Sequence, residues 1–245
     1  MTETRTAAKI GVLVPFTNTN LEPDMEMLRP PNTTVHFQRM GGYDVDEIPG
    51  ADQMAGLGAS DISHDLRMIS GVRPDVVLYG CTSATLTHGP SFDADLAQQI
   101  KAGSGALSLT AAGSLIAAIK ALGATKVSFS SPYLGEINTQ AMDFMAQNGI
   151  ETVNCADVGR ELGNYGQGEL TPDEVYDLAC QADHVDAQAI VLSCTDMRSV
   201  EAITLIEKTL DKPVVTSNQA MVFALMRALD LPKHGAVPGR LFDLQ

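Results

Sequence analysis

Asp75-Val-Val-Leu-Tyr-Gly-Cys81-Thr82-Ser83-Ala84 and Ala189-Ile-Val-Leu-Ser-Cys194-Thr195-Asp196-Met197 share one reading. Each is a short apolar run, the mark of a strand buried on both faces, ending in a cysteine followed at once by threonine. In an open parallel sheet the loops at the strands' C-terminal ends form the ligand-binding edge. A chain that brings a cysteine there twice, once per half, suggests two thiols facing each other across one cleft. Such a pair suits moving protons, or adding sulfur, on either side of a small planar carbon centre.

Working outward, the rest of the chain repeats as well. Lys9-Ile-Gly-Val-Leu-Val-Pro15-Phe16-Thr-Asn18 resembles Lys126-Val-Ser-Phe-Ser-Ser-Pro132-Tyr133-Leu-Gly, and helical stretches with Met25-Glu-Met-Leu28 and Met142-Asp-Phe-Met145 follow. The offset is 117 residues from Lys9 to Lys126 and 113 from Cys81 to Cys194. A looser pair sets Leu107–Thr110 and the Ala-rich helix through Leu122 against Val214–Thr216 and the helix through Leu229. Each half therefore reads strand–helix three times over. Residues 51–71 carry apolar positions at helical spacing (Leu57, Ile62, Leu66, Ile69) and predict one helix ending at Gly71. Thr171-Pro172-Asp173-Glu174 opens another, with Thr at the N-cap, Pro at N1 and Glu at N3, running to about His184. The expectation is an α/β protein of two Rossmann-like parallel-sheet lobes related by a pseudo-two-fold axis, with the active site between them. Residues 1–110, completed by 214–245, form the first lobe and 111–213 the second. Pro15, Cys81, Pro132 and Cys194 are expected to converge on the cleft.

Composition narrows the function. With 16 basic and 30 acidic residues the formal net charge is −14, which argues against nucleic acid and anionic membranes as partners. A small anionic substrate is not excluded, because backbone N–H groups and helix N-termini bind carboxylates. No apolar stretch is long enough to span a bilayer, and the polar N-terminus lacks the apolar core of a secretory signal, so a cytoplasmic location is expected. The four cysteines (Cys81, Cys155, Cys180, Cys194) include no Cys-x-x-Cys pair, and no His-x-x-x-His occurs. A structural disulfide and a zinc site are therefore not expected, no metal or organic cofactor is implied, and Cys155 and Cys180 read as buried packing residues. No glycine-rich phosphate loop follows the first strand.

The candidate site residues follow from these positions. Cys81 and Cys194, each just before a helix, are expected to have a lowered pKa; the alternative is that each is a small hydrophobe closing a buried strand. Thr82, Ser83, Thr85 and Thr195 offer hydroxyls and amides to a carboxylate or an enolate-like transition state, or else cap helices. Asn18 and Asn20 are amide donors, or turn residues, in a loop that Glu22 could orient. Tyr133 is the repeat mate of Phe16 and brings a hydroxyl; Asn164 lies in Gly163-Asn164-Tyr165-Gly166, a cleft residue or only a turn. His88 could pair with a thiol or be packing, and Arg198 could bind a carboxylate or make a surface pair.

These residues resemble the aspartate/glutamate racemase superfamily, and within it the maleate cis–trans isomerase branch near the arylmalonate decarboxylases. The motifs are Val14-Pro15-Phe-Thr-Asn18-Thr-Asn20-Leu-Glu22, Tyr79-Gly-Cys81-Thr, Ser131-Pro132-Tyr133, Leu192-Ser193-Cys194 and Pro213-Val-Val-Thr216-Ser217-Asn218, spanning Gly11 to Leu231. The resemblance implies a two-lobed, cofactor-independent isomerase of a small dicarboxylate, maleate to fumarate. In that chemistry Cys81 adds to the double bond, Cys194 handles the proton, and Asn18, Tyr133 and Asn164 hold the carboxylates. Decarboxylases of the family keep only the second-lobe cysteine, so Cys81 counts against that activity. Two alternatives stay open: an amino-acid or hydantoin racemase, including an ectoine-pathway type, using the same thiols as acid and base, and a non-catalytic small-molecule binding protein. This chain has Phe16-Thr17 where the isomerases usually have two small hydroxyl residues. A homo-oligomer is expected, with the Ala- and Met-rich helices 111–122 and 220–229 against a second subunit or against the sheet.

Overall fold

The computed structural model describes residues 7–44, 47, 49–232 and 237–244. Its first half runs β1 (Ala8–Pro15), α1 (Leu21–Leu28), β2 (Thr33–Met40), α2 (Ala51–Gly58), α3 (Ser63–Ser70), β3 (Val76–Tyr79), α4 (Thr82–Leu86), α5 (Pro90–Ser104), β4 (Leu107–Thr110) and α6 (Ala111–Ala121). The second runs β5 (Lys126–Ser131), α7 (Gly135–Gln147), β6 (Glu151–Asp157), α8 (Gly166–Glu169), α9 (Pro172–Ala182), β7 (Ala189–Leu192), α10 (Ile203–Leu210), β8 (Val214–Thr216) and α11 (Ser217–Ala228). The two sheets are parallel throughout and share one strand order, β2-β1-β3-β4 and β6-β5-β7-β8.

The repeat extends to the hydrogen-bond register. Val12 pairs with Leu78 and Leu13 with Tyr79 in the first sheet; Phe129 pairs with Val191 and Ser130 with Leu192 in the second. One residue further, Gly80 N–H donates to the Leu13 carbonyl (2.8 Å) and Ser193 N–H to the Ser130 carbonyl (2.9 Å). The equivalent central strands thus put Cys81 and Cys194 at the same height on their sheets. Thr110 and Thr216 are also mates: each accepts from the third residue of its helix, Gly113 N–H at 3.0 Å and Gln219 N–H at 3.1 Å. The helices they cap, α6 and α11, pack against each other and join the lobes. Apolar residues of both halves, from Ile10 to Phe242, form one continuous core.

Four expectations change. Each sheet has four strands where the sequence suggested three, because β2 and β6 are half-buried edge strands without an apolar run. The helix expected over 51–71 is two helices, since Asp61 Oδ1 accepts from Ser63 N–H (2.9 Å) and starts α3 afresh. The segment 214–245 divides: β8 adds to the second sheet, while α11 runs against α6 and α1. Cys155 in β6 and Cys180 in α9 are half-buried and not buried. The α9 start holds as read, with Thr171 and Glu174 capping each other reciprocally. Among the described residues no helix is long and apolar enough to cross a membrane.

Candidate active site

One narrow cleft, at the C-terminal ends of both sheets, is lined by Cys81 and Cys194 together with Asn18, Ser83, Tyr133, Asn164 and Thr195. Pro15 joins that lining. Pro132 lines a neighbouring outer hollow that shares Pro49, Tyr133 and Gln167 with the cleft.

The Asn18 loop is built from both ends. Arg39 on β2 donates to the carbonyls of Phe16 (3.2 Å) and Asn18 (2.9 Å), and pairs with Glu22 at 2.6 Å. Glu22 therefore orients the loop through Arg39. Asn18 Oδ1 accepts from Asn20 N–H (3.1 Å) and Leu21 N–H (2.9 Å), fixing the amide plane. Its Nδ2 then donates across the lobes to Thr195 Oγ1 (3.1 Å), which donates back to the Gly80 carbonyl (2.9 Å). This bridge ties the loop before Cys81 to the residue after Cys194.

Each thiol has its own set of contacts. Cys81 Sγ lies 3.7 Å from Ser83 Oγ, which donates to Met54 Sδ (3.0 Å), and Tyr133 lines the same cleft beside both thiols. Tyr133 is held from behind: its N–H donates to Ser131 Oγ (3.1 Å) and its carbonyl accepts from Asn138 Nδ2 (2.8 Å). Cys194 donates to Gln167 Oε1 (3.5 Å) and accepts from Asp196 N–H (3.3 Å). Asn164 donates to the Glu47 carbonyl (2.6 Å), joining a second-lobe loop to a first-lobe one over the cleft.

Several sequence candidates lie elsewhere. Thr82 is buried with its hydroxyl on Ser217 Oγ (2.8 Å), and Thr85 Oγ1 donates to the Thr82 carbonyl (3.2 Å); neither lines the cleft. His88 sits in the turn after α4, its Nε2 2.9 Å from the Ala55 carbonyl and its ring stacked on Phe92, so it makes no dyad with a thiol. Arg198 pairs with Glu201 at 2.9 Å, outside the lining. Asn20 caps no substrate either: its amide binds Asp196 (3.0 Å) and the Gly168 carbonyl (3.1 Å). Sequence reading missed Thr17, Tyr43, Met54, Gln167 and Asp196 in the lining. Position could have found Asp196, two residues after Cys194, and Gln167, three after Asn164; Tyr43 and Met54 arrive from loop and helix without a motif.

The expected lowering of the thiol pKa values is overturned. Burial pushes Cys81 above the ordinary thiol range despite the Ala84 and Ser83 N–H groups at the head of α4. Cys194 is pushed further up, by burial and then by the Asp196 charge, against the Asp196 N–H and the Tyr133 hydroxyl. A five-residue helix is a weak dipole, and Cys194 is followed by a turn, not an α-helix. Burial likewise pushes Tyr133 well above the phenol range. No Lys, Arg or His lines the cleft among the described residues, so its polarity comes from amides, hydroxyls, thiols and Asp196.

Behind the cleft, Asn218 Nδ2 donates to the Thr195 carbonyl (3.1 Å) and to Asp24 Oδ2 (2.7 Å). Burial raises the Asp24 carboxyl to about 7. A group whose folded pKa is raised stabilises the fold at low pH. That contribution is lost as pH climbs from the unfolded value of about 4 to the folded value of about 7. Asp24→Asn, which mimics the protonated carboxyl, is expected to gain on wild type across this window by on the order of 2–4 kcal/mol and then level off. Melting curves from pH 4 to 8 test this, and parallel curves for the two proteins would exclude it.

A sequence model of the Amdase family, arylmalonate decarboxylase, matches residues 10–242. A maleate isomerase of Geobacillus stearothermophilus is 27% identical over 252 residues, spanning 96% of this chain and 97% of that protein. A maleate isomerase of Nocardia farcinica is 28% identical over 243 residues, spanning 94% and 93%. The crystal structure of a maleate isomerase from Pseudomonas putida S16 superposes with a TM-score of 0.87 at 26% identity, covering 96% of this chain and 98% of that one.

Proposed function

The chain belongs to the Amdase, or arylmalonate decarboxylase, family, and from that membership we propose that it is a cofactor-independent isomerase converting maleate to fumarate. The observation that carries this reading is the pair of buried thiols in one cleft, lined also by Asn18, Ser83, Tyr133 and Asn164. The near full-length likeness to maleate isomerases supports the same substrate class.

Cys81, as thiolate, adds to one alkene carbon; the C–S bond forms as the π pair moves to the neighbouring carbon. That carbon takes the proton of Cys194, leaving a succinyl thioether on Cys81 and a thiolate at Cys194. The former double bond is now single and rotates. Cys194 then removes the proton from the carbon it had protonated, the pair re-forms the alkene in the trans arrangement, and the C–S bond breaks to restore the Cys81 thiolate. Atoms balance with no oxidant or reductant. The Ser83 and Ala84 N–H groups, which favour charge on Cys81, stabilise the attacking and leaving thiolate. The free hydrogen of Asn18 Nδ2, with Asn164 and Tyr133, holds the carboxylates as neutral donors fixed in place beforehand.

The deciding experiment incubates the protein with maleate in deuterated water and follows fumarate by proton NMR. Fumarate formation is expected; inert maleate with deuterium entering the α-carbon of aspartate, glutamate or a hydantoin would replace this reading with a racemase. The raised thiols also fix a pH dependence. Turnover is expected to climb through and above neutrality as Cys81 ionises, and to fall only at more alkaline pH once Cys194 loses its proton. A rate that declines steadily from pH 6 to 9 would contradict these roles.

A further inference from the structure

The repeat that makes Cys81 and Cys194 equivalent breaks two residues later. Thr82 matches Thr195, but Ser83 matches Asp196, so one thiol has a neutral hydroxyl beside it and the other a carboxylate. Asp196 is also the most heavily bonded side chain in the cleft wall. Its Oδ1 accepts from Thr19 N–H (2.8 Å), Asn20 N–H (3.1 Å), Asn20 Nδ2 (3.0 Å) and the Thr19 hydroxyl (3.4 Å), all on the opposite lobe. Its own N–H donates to Cys194 Sγ (3.3 Å).

We propose that Asp196 is a positioning residue that fixes the unequal division of labour between the thiols, clasping the Cys194 loop to the first lobe and keeping Cys194 as the proton carrier while Cys81 is left to attack. The proposal rests on the isomerase reading for what the two thiols do, but its physical content is electrostatic. Burial raises the Asp196 carboxyl above the ordinary carboxylate range while the Thr19 and Asn20 donors around Oδ1 oppose that rise, and a negative charge held beside a buried thiol opposes formation of a second one. Among the described residues, the other ionisable groups that face Cys194 are Tyr133 from the loop after β5, Tyr43 from the loop after β2 and Cys81 from the end of β3. None of these is a cation that would offset Asp196. Cys81 also feels Asp196, but less than it feels its burial and the donors of Ala84 and Ser83.

Asp196→Asn tests this, because an amide oxygen can still accept from Thr19 and Asn20 while the charge is gone. Labelling of each thiol with iodoacetamide, read by peptide mass spectrometry from pH 6 to 10.5, reports ionisation without relying on turnover. In wild type, Cys81 is expected to become reactive at lower pH than Cys194. In the variant the Cys194 profile is expected to move to lower pH, with about tenfold faster labelling at a fixed pH on its rising limb, and the Cys81 profile to move less. The alkaline limb of maleate turnover should move with Cys194, which a purely structural clasp would not produce. An unmoved Cys194 profile, equal shifts at both thiols, or a wild type in which Cys194 ionises first would each overturn the proposal; the last applies even if the variant fails to fold. A shifted Cys194 profile in a protein inert toward maleate would support the electrostatic role and overturn only the isomerase reading.

Discussion

Cys81→Ser and Cys194→Ser are each expected to lower maleate turnover by at least about a thousandfold, ~4 kcal/mol of barrier. The two losses should differ in kind. A serine at position 81 has no thiolate to add, so no adduct forms and the protein mass is unchanged after incubation with maleate. A serine at position 194 leaves the nucleophile in place but removes the group that takes the proton back. Addition then proceeds with a proton from water, elimination stalls, and a mass increase equal to one maleic acid should accumulate on the peptide containing Cys81. Serine is close to cysteine in size, and both positions are almost fully buried, so a change in melting temperature of more than a few degrees would point to misfolding instead. Near wild-type turnover in both variants would end the thiol mechanism.

The second large effect is on folding. Gly58 closes α2 where that helix crosses α4, and a Cβ built there would fall well inside contact distance of the Ala84 carbonyl oxygen and 3.1 Å from the His88 ring. The obstacle is backbone, so it cannot rotate away. Gly58→Ala is expected to cost about 3 kcal/mol, lowering the melting temperature by roughly 6–12 °C. Because α4 begins directly after Cys81 and carries Ser83, displacing it should also weaken activity in whatever fraction stays folded. A Gly58→Ala protein that melts and turns over like wild type would show that the α2–α4 crossing is looser than drawn.

What the sequence made legible follows burial. The central strands β3 and β7 are apolar end to end because both faces are covered, and they were readable, whereas β5, Lys-Val-Ser-Phe-Ser-Ser, was readable through its likeness to β1. The edge strands β2, Thr-Thr-Val-His-Phe-Gln-Arg-Met, and β6, Glu-Thr-Val-Asn-Cys-Ala-Asp, mix polar residues into half-buried positions and carry neither a clean alternation nor an apolar run. Asn18, Cys81, Ser83, Tyr133, Asn164, Cys194 and Thr195 were readable as cleft residues because each lies just beyond a strand or in a Gly-flanked loop. Thr82 was misplaced because a cap position says nothing about which way its hydroxyl turns; here it turns to Ser217. The thiol pKa values were misjudged because the helix terminus is visible in a sequence while the depth of burial is not.

The packing of α6 on α11 has a consequence for how the site is assembled. A cleft built by two identical subunits would come apart on dilution and would present the same residue twice. Here the halves are covalently joined and share one core, so each meets the other at an effective concentration set by the chain, not by the solution. Every molecule carries one complete cleft, and its halves are free to diverge, as a serine and an aspartate have done beside the two cysteines.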